Sequence, residues 1–199
     1  MAPDSAASPI AVCVYAGSRL GHDPAHRRAA EELGRGLAER GMALVYGGGR
    51  VGMMGALADA ALTAGGRVIG VIPRFLERRE VGRDDLAALH VVESMHERKA
   101  RMAELSDAFV VLPGGLGTID EAIEIITWRQ LGLHDRPVLL ADPRGYWDAL
   151  FRQIAAAVAE GFVYAEEAAL FERFDGVGAV LARLETIEPK QRPEELRRA

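Results

Sequence analysis

Seven short apolar runs alternate with helical patterns from Ile10 to Leu184, and this alternation is the strongest constraint on the fold. The runs are Ile10–Tyr15, Met42–Tyr46, Arg67–Ile72, Leu89–Val92, Ala108–Leu112, Pro137–Ala141 and Leu170–Phe174. Most are apolar without a polar alternate, as expected of strands covered on both faces. Between them lie helical patterns over Pro24–Arg40, from Gly52 to about Ala64, over about Met95–Leu105, Ile119–Leu131, Tyr146–Glu160 and Val177–Leu184. Strands alternating with helices predict an α/β fold: a doubly wound, Rossmann-like, mostly parallel sheet with helices on both faces. Arg74–Leu86 is polar and irregular, and reads as a loop over the site or a short helix. No internal repeat or linker divides the chain. A single domain is expected over 10–187, with a flexible N-terminus at 1–9 and a charged tail at 188–199.

Such a sheet binds ligands beyond the C-terminal ends of its strands. Three small-residue turns fall at that edge: Ala16-Gly17-Ser18-Arg19, Gly47-Gly48-Gly49-Arg50-Val51-Gly52, and Pro113-Gly114-Gly115-Leu116-Gly117-Thr118. The third joins a strand to a helix N-terminus. Free N–H groups and the positive end of the helix dipole meet there, which suits a phosphate. Glu121 is the odd member, because a carboxylate one turn into that helix repels a phosphate unless it serves the other end of the ligand. Cradle plus carboxylate points to chemistry on a phosphorylated sugar.

Other chemistries fit less well. Gly47-x-Gly49-x-x-Gly52 has the spacing of the dinucleotide fingerprint, but it follows the second strand rather than the first. No acidic residue ends the next strand, which closes on Ile72-Pro73. The Walker pattern is absent. The five histidines show no paired metal-ligand spacing, so no metal is expected. The formal charge of −5 argues against a nucleic-acid partner. No run reaches the length of a membrane span, and Met1–Pro9 lacks the features of a signal peptide. The single cysteine, Cys13, reads as a small buried hydrophobe and suits a reducing, cytoplasmic setting. Met95-His96-Glu97-Arg98-Lys99 opens a helix, from which Arg98 and Lys99 are expected to hold an anion or a base. Trp128 and Trp147 read as core or subunit contact.

Taken in order, Leu44-Val45-Tyr46-Gly47-Gly48-Gly49, Met95-His96-Glu97-Arg98-Lys99, Pro113-Gly114-Gly115-x-Gly117-Thr118-x-x-Glu121 and Thr127-Trp128-x-Gln130-Leu131-Gly132 closely resemble the Lonely Guy (LOG) family of cytokinin-activating phosphoribohydrolases. The resemblance runs from about Ile10 to Leu184. It implies hydrolysis of the N-glycosidic bond of adenosine 5′-monophosphate or an N6-modified relative, to free base and ribose 5-phosphate, with no cofactor. It also implies a homodimer. Arg98 and Glu121 match the catalytic pair. Gly114, Gly115, Leu116, Gly117 and Thr118 match the phosphate loop, with Gly17, Ser18, Gly47, Gly48 and Gly49 lining the same edge. Lys99 and Thr127 match substrate contacts, and Glu80 is a further candidate.

Departures from the family pattern are Arg19 and Arg50, where many relatives have serine, and Asp120, where plant relatives often have glutamate. They leave the side-group preference open. Relatives were long labelled lysine decarboxylases, a chemistry that needs pyridoxal phosphate on a lysine. Lys99 and Lys190 are the chain's lysines, and Lys99 lies in the Arg-Lys motif. A non-catalytic molybdenum-cofactor carrier is the alternative reading. It needs neither Arg98 nor Glu121.

Overall fold

The computed structural model describes residues 9–76 and 85–189. Among the described residues, seven parallel strands form one sheet in the order β4-β3-β2-β1-β5-β6-β7. The strands are β1 (Ala11–Tyr15), β2 (Ala43–Tyr46), β3 (Val68–Pro73), β4 (Ala88–Val92), β5 (Ala108–Val111), β6 (Val138–Ala141) and β7 (Glu172–Phe174). The α-helices that lie wholly within the described residues are α1 (Pro24–Glu39), α2 (Gly52–Thr63), α3 (Met95–Glu104), α4 (Leu116–Gln130), α5 (Asp148–Ala159) and α6 (Val177–Leu184). The doubly wound reading is borne out. Glu80 and parts of the two terminal segments and of Arg74–Leu86 lie outside the described residues.

Alternate residues of β1 feed opposite faces. Val12 and Val14 join the cluster under α1, α2 and α6, with Leu33, Leu57 and Val180. Ala11, Cys13 and Tyr15 join the cluster under α3 and α4, with Met102, Leu105 and Ile125. Two-sided burial explains the continuous apolar runs. Each fully buried Leu, Val or Ile contributes about 1.5–3 kcal/mol of transfer free energy. Trp147 proves to be core, and Trp128 is half-buried against the second cluster.

Strand ends shift by one or two residues from the sequence expectation. The larger correction is α4, which begins at Leu116 rather than Ile119. Leu116, Gly117 and Thr118 form its first turn and are not part of the preceding loop. α5 likewise begins at Asp148 rather than Tyr146, after a 3₁₀ turn over Pro143–Gly145.

A histidine fixes the far end of α4. The backbone N–H of Arg136 donates to His134 Nδ1 at 3.2 Å, so the proton belongs on Nε2, which lies 2.9 Å from the Ile125 carbonyl. Burial lowers the His134 pKa and outweighs the Ile125 hydrogen bond, which raises it, while nearby Arg136 and Arg129 add to the lowering. The folded state therefore prefers the neutral ring, while the unfolded chain takes up a proton near the ordinary value of about 6.5. Stability from this group is complete above that value and is lost as pH falls toward the depressed folded pKa. The urea midpoint is expected to drop between about pH 7 and about pH 5. Part of that drop should vanish in His134→Gln, and an unchanged slope would refute the assignment.

Candidate active site

Chain direction across the sheet reverses between β1 and β5, so this pair is the topological switch point. Two loops meet beyond its carboxyl edge. Leu112 N–H donates to the Tyr15 carbonyl at 2.9 Å, and Gly17 N–H donates to the Pro113 carbonyl at 3.2 Å. The approach is close: a Cβ on Gly17 would sit 3.2 Å from Gly114 Cα. A cleft of about 750 Å³ opens beside them, walled by Gly17, Ser18, Met53, Gly114, Gly115 and Tyr146 among others.

The first turn of α4 stands at this junction. Gly115 is its N-cap, no side chain caps it, and the first internal bond runs from Ile119 N–H to the Gly115 carbonyl at 3.0 Å. The N–H groups of Gly115, Leu116, Gly117 and Thr118 are therefore the four that an α-helix leaves without an internal partner. A Cβ on Gly115 or Gly117 would meet nothing within 4 Å, and Leu116 is 86% exposed, so the turn is open to an incoming anion. Thr118 differs. It is buried, and its side chain packs back against Gly114, where a Cβ would lie 2.1 Å from Thr118 Oγ1. Thr118 thus shapes the loop from beneath. Glu121 follows Gly117 by four residues and shares its helix face. It is half-buried.

Arg98 reaches the same region from the other side of β1. Ser94 caps α3, its side chain accepting from Glu97 N–H at 3.1 Å, which sets the helix phase. Arg98 is 5% exposed. Its Nε donates to the Val71 carbonyl at 3.1 Å, Nη2 to the Gly47 carbonyl at 3.0 Å, and Nη1 to Met95 Sδ at 3.9 Å. Among the described residues, these bonds occupy three of five guanidinium N–H groups. Gly47 is required here, because a Cβ would lie 1.9 Å from Arg98 Nη2. Gly48 and Gly49 are buried in the same turn.

The charges of Arg98 and Glu121 converge on β1. Burial pushes the Cys13 thiol far above its usual range, Glu121 pushes it further, and Arg98 pulls it back. Both charges are felt at the buried thiol of the central strand. Neither lines the 750 Å³ cleft, which lies on the α1 side of the loop junction.

Lys99 turns elsewhere. Its Nζ lies 3.1 Å from Asp120 Oδ2 and 2.9 Å from Glu124 Oε2, tying α3 to α4. Burial alone would lower its pKa, but the hydrogen bonds and charges of Glu124 and Asp120 outweigh it and hold the ammonium above the ordinary lysine value. A lysine that forms a Schiff base needs a depressed pKa. The residues around Lys99 do not fit pyridoxal phosphate. Thr127 lies six residues beyond Glu121, about 9 Å along the helix, where its hydroxyl donates to the Ile123 carbonyl at 2.8 Å. Ser18 is exposed on the cleft wall. Among the described residues, no group of three or more His, Cys, Asp or Glu could hold a metal ion.

Sequence reasoning missed Tyr146. Its hydroxyl donates to the Gly114 carbonyl at 2.5 Å. The available signal was its place just after β6, at the same sheet edge as the other loops.

Fold and site together define a doubly wound α/β protein with a glycine-rich, uncapped helix N-terminus at its switch point, a buried Arg on α3 and a half-buried Glu on α4. The profile of a family described as "possible lysine decarboxylase" matches residues 54–184. A probable cytokinin riboside 5′-monophosphate phosphoribohydrolase of Oryza sativa subsp. japonica is 46% identical over 178 residues, covering 89% of this chain and 78% of that protein. A cytokinin riboside 5′-monophosphate phosphoribohydrolase of Arabidopsis thaliana is 47% identical over 152 residues, covering 76% and 71%. The chain belongs to this phosphoribohydrolase family, the LOG family. Among solved structures, the Moco carrier protein of Chlamydomonas reinhardtii superposes with a TM-score of 0.66 at 22% identity, covering 89% of this chain and 96% of that one. That likeness is one of fold.

Proposed function

We propose that this chain hydrolyses the N-glycosidic bond of adenosine 5′-monophosphate or its N6-modified relatives, releasing the base and ribose 5-phosphate. The observation that carries this reading is the uncapped first turn of α4 with Glu121 one turn behind it. The 5′-phosphate takes the N–H groups of Gly115–Thr118, so the sugar extends from a fixed anchor. Positioning of this kind is worth several kcal/mol. As the C1′–N9 bond breaks, positive charge grows on C1′ and O4′. The Glu121 carboxylate stabilises that charge and orients the water whose oxygen bonds to C1′. One water proton ends on the departing purine.

Arg98 hardly deprotonates, so it acts as a hydrogen-bonding charge stabiliser rather than a general acid. Its two remaining N–H groups serve the ligand. Gly17, Ser18 and Gly47–Gly49 shape the walls. The carrier reading gains nothing from a likeness of fold alone. Incubation of the protein with AMP and with N6-isopentenyl-AMP, with free base quantified by chromatography, tests the proposal. Base from neither substrate overturns it.

We also infer a homodimer in the cytoplasm. Leu116, Ile119 and Ile123 form an exposed apolar stripe along α4, continued by exposed Leu131 and Leu133. Thr127 follows Ile123 by one turn on that face, where it can reach a partner's ligand. Ile119→Asp combined with Ile123→Glu is expected to halve the sedimenting mass without unfolding the chain. A wild-type monomer at micromolar concentration would count against the dimer. Among the described residues no helix is long and apolar enough to cross a membrane.

A further inference from the structure

We infer that Tyr146 is a positioning residue of the phosphate loop, which it serves by locking the orientation of the Gly114–Gly115 peptide. This inference rests on the phosphoribohydrolase reading. The Tyr146 hydroxyl donates to the Gly114 carbonyl at 2.5 Å. A trans peptide is planar, so its C=O and the following N–H point in opposite directions. Holding the Gly114 carbonyl on Tyr146 therefore fixes the direction of the Gly115 N–H. That N–H is the first of the four donors at the head of α4 that have no partner within the helix. Both residues flanking the peptide are glycines, which resist rotation least. Without the tether, a flipped peptide would present a carbonyl to the phosphate in place of a donor.

Tyr146 is itself braced. Its ring meets His26 edge-on at 5.5 Å and Trp147 edge-on at 4.9 Å. Trp147 N–H donates to buried Asp142 Oδ1 at 2.8 Å, and Asp142 N–H donates to the Phe174 carbonyl at 2.8 Å. The turn before it carries Arg144 at φ 69°, a left-handed conformation uncommon for a residue other than glycine. Arg144 Nε lies 3.4 Å from Asp23 Oδ2, the cap of α1. The turn after β6 is thus strapped to α1 and to β7, and it delivers one hydroxyl to one carbonyl.

The test is Tyr146→Phe, which keeps the ring packing and removes only the donor. KM for AMP is expected to rise roughly 5- to 10-fold, the worth of one hydrogen bond, with kcat within about twofold. Affinity for ribose 5-phosphate, read by calorimetry, should weaken by the same factor. Affinity for adenine, which carries no phosphate, should not move. The melting temperature of the variant separates this role from a merely structural one, since loss of fold would weaken all three ligands together. Unchanged KM and unchanged ribose 5-phosphate affinity overturn the inference, as does equal weakening toward adenine. If wild type binds ribose 5-phosphate but releases no base from AMP, the hydrolase reading fails and the binding comparison still decides the role of Tyr146. If wild type binds no ribose 5-phosphate, both fail.

Discussion

Glu121→Gln is expected to lower kcat on AMP by on the order of 10²- to 10³-fold, the usual cost of removing one preorganised electrostatic group. Glutamine keeps the size of the side chain and removes its charge. The charge it opposes exists only as the glycosidic bond breaks, so the loss should fall on kcat and leave KM within a few-fold. The half-buried setting of Glu121 on α4 raises the effect, because water screens it less than at the surface. Steady-state kinetics with parallel measurement of melting temperature reads the result. A variant that turns over at near wild-type rate, well folded, would remove Glu121 from the mechanism.

Gly47→Ala should be nearly as damaging, although Gly47 is not itself placed at the bond that breaks. Its new Cβ would fall 1.9 Å from Arg98 Nη2 and 3.0 Å from Met54 Sδ. The guanidinium is the flexible end of a long side chain and can swing aside, so the fold should survive. The carbonyls of Gly47 and Val71 then lose their partner, at about 1–3 kcal/mol of stability. Catalysis should fall by on the order of 10²-fold through the displaced charge. Arg98→Ala should give a similar loss in activity. The informative variant is the double one. If Gly47→Ala acts only by displacing Arg98, adding it to Arg98→Ala costs little more, and the two effects are far from additive. Full additivity would show that Gly47 acts by some other route.

Legibility in the sequence follows the range of the interactions. The strands could be read because burial on both faces makes them apolar without interruption, as β1 and β5 are. The order β4-β3-β2-β1-β5-β6-β7 could not, since pairing of β1 with β5 joins residues almost a hundred positions apart. The start of α4 was read three residues late because Leu116-Gly117-Thr118, met as a string, has the composition of a turn. In the fold it is a helix end whose Leu116 and Gly117 face solvent, where a glycine costs little. Site residues carried by contiguous motifs were visible, but their partners were not. Nothing local says that Arg98 hangs on the Val71 and Gly47 carbonyls, or that Lys99 spans to Asp120 and Glu124. The hydrogen bond of Tyr146 was hidden for the same reason, since its partner lies 32 residues away.

Cys13 gives the molecule a built-in reporter. It is the chain's single cysteine. It has no exposed surface, sits in the central strand between β2 and β5, and holds its proton far more tightly than a free thiol. Thiol reagents attack the thiolate, so an intact molecule offers them almost nothing. Modification must wait until the middle of the sheet opens, and that opening is close to global unfolding. The rate of alkylation is therefore a clock for whole-molecule opening. It needs no added label, and ligands that tighten the fold should slow it in proportion to their occupancy.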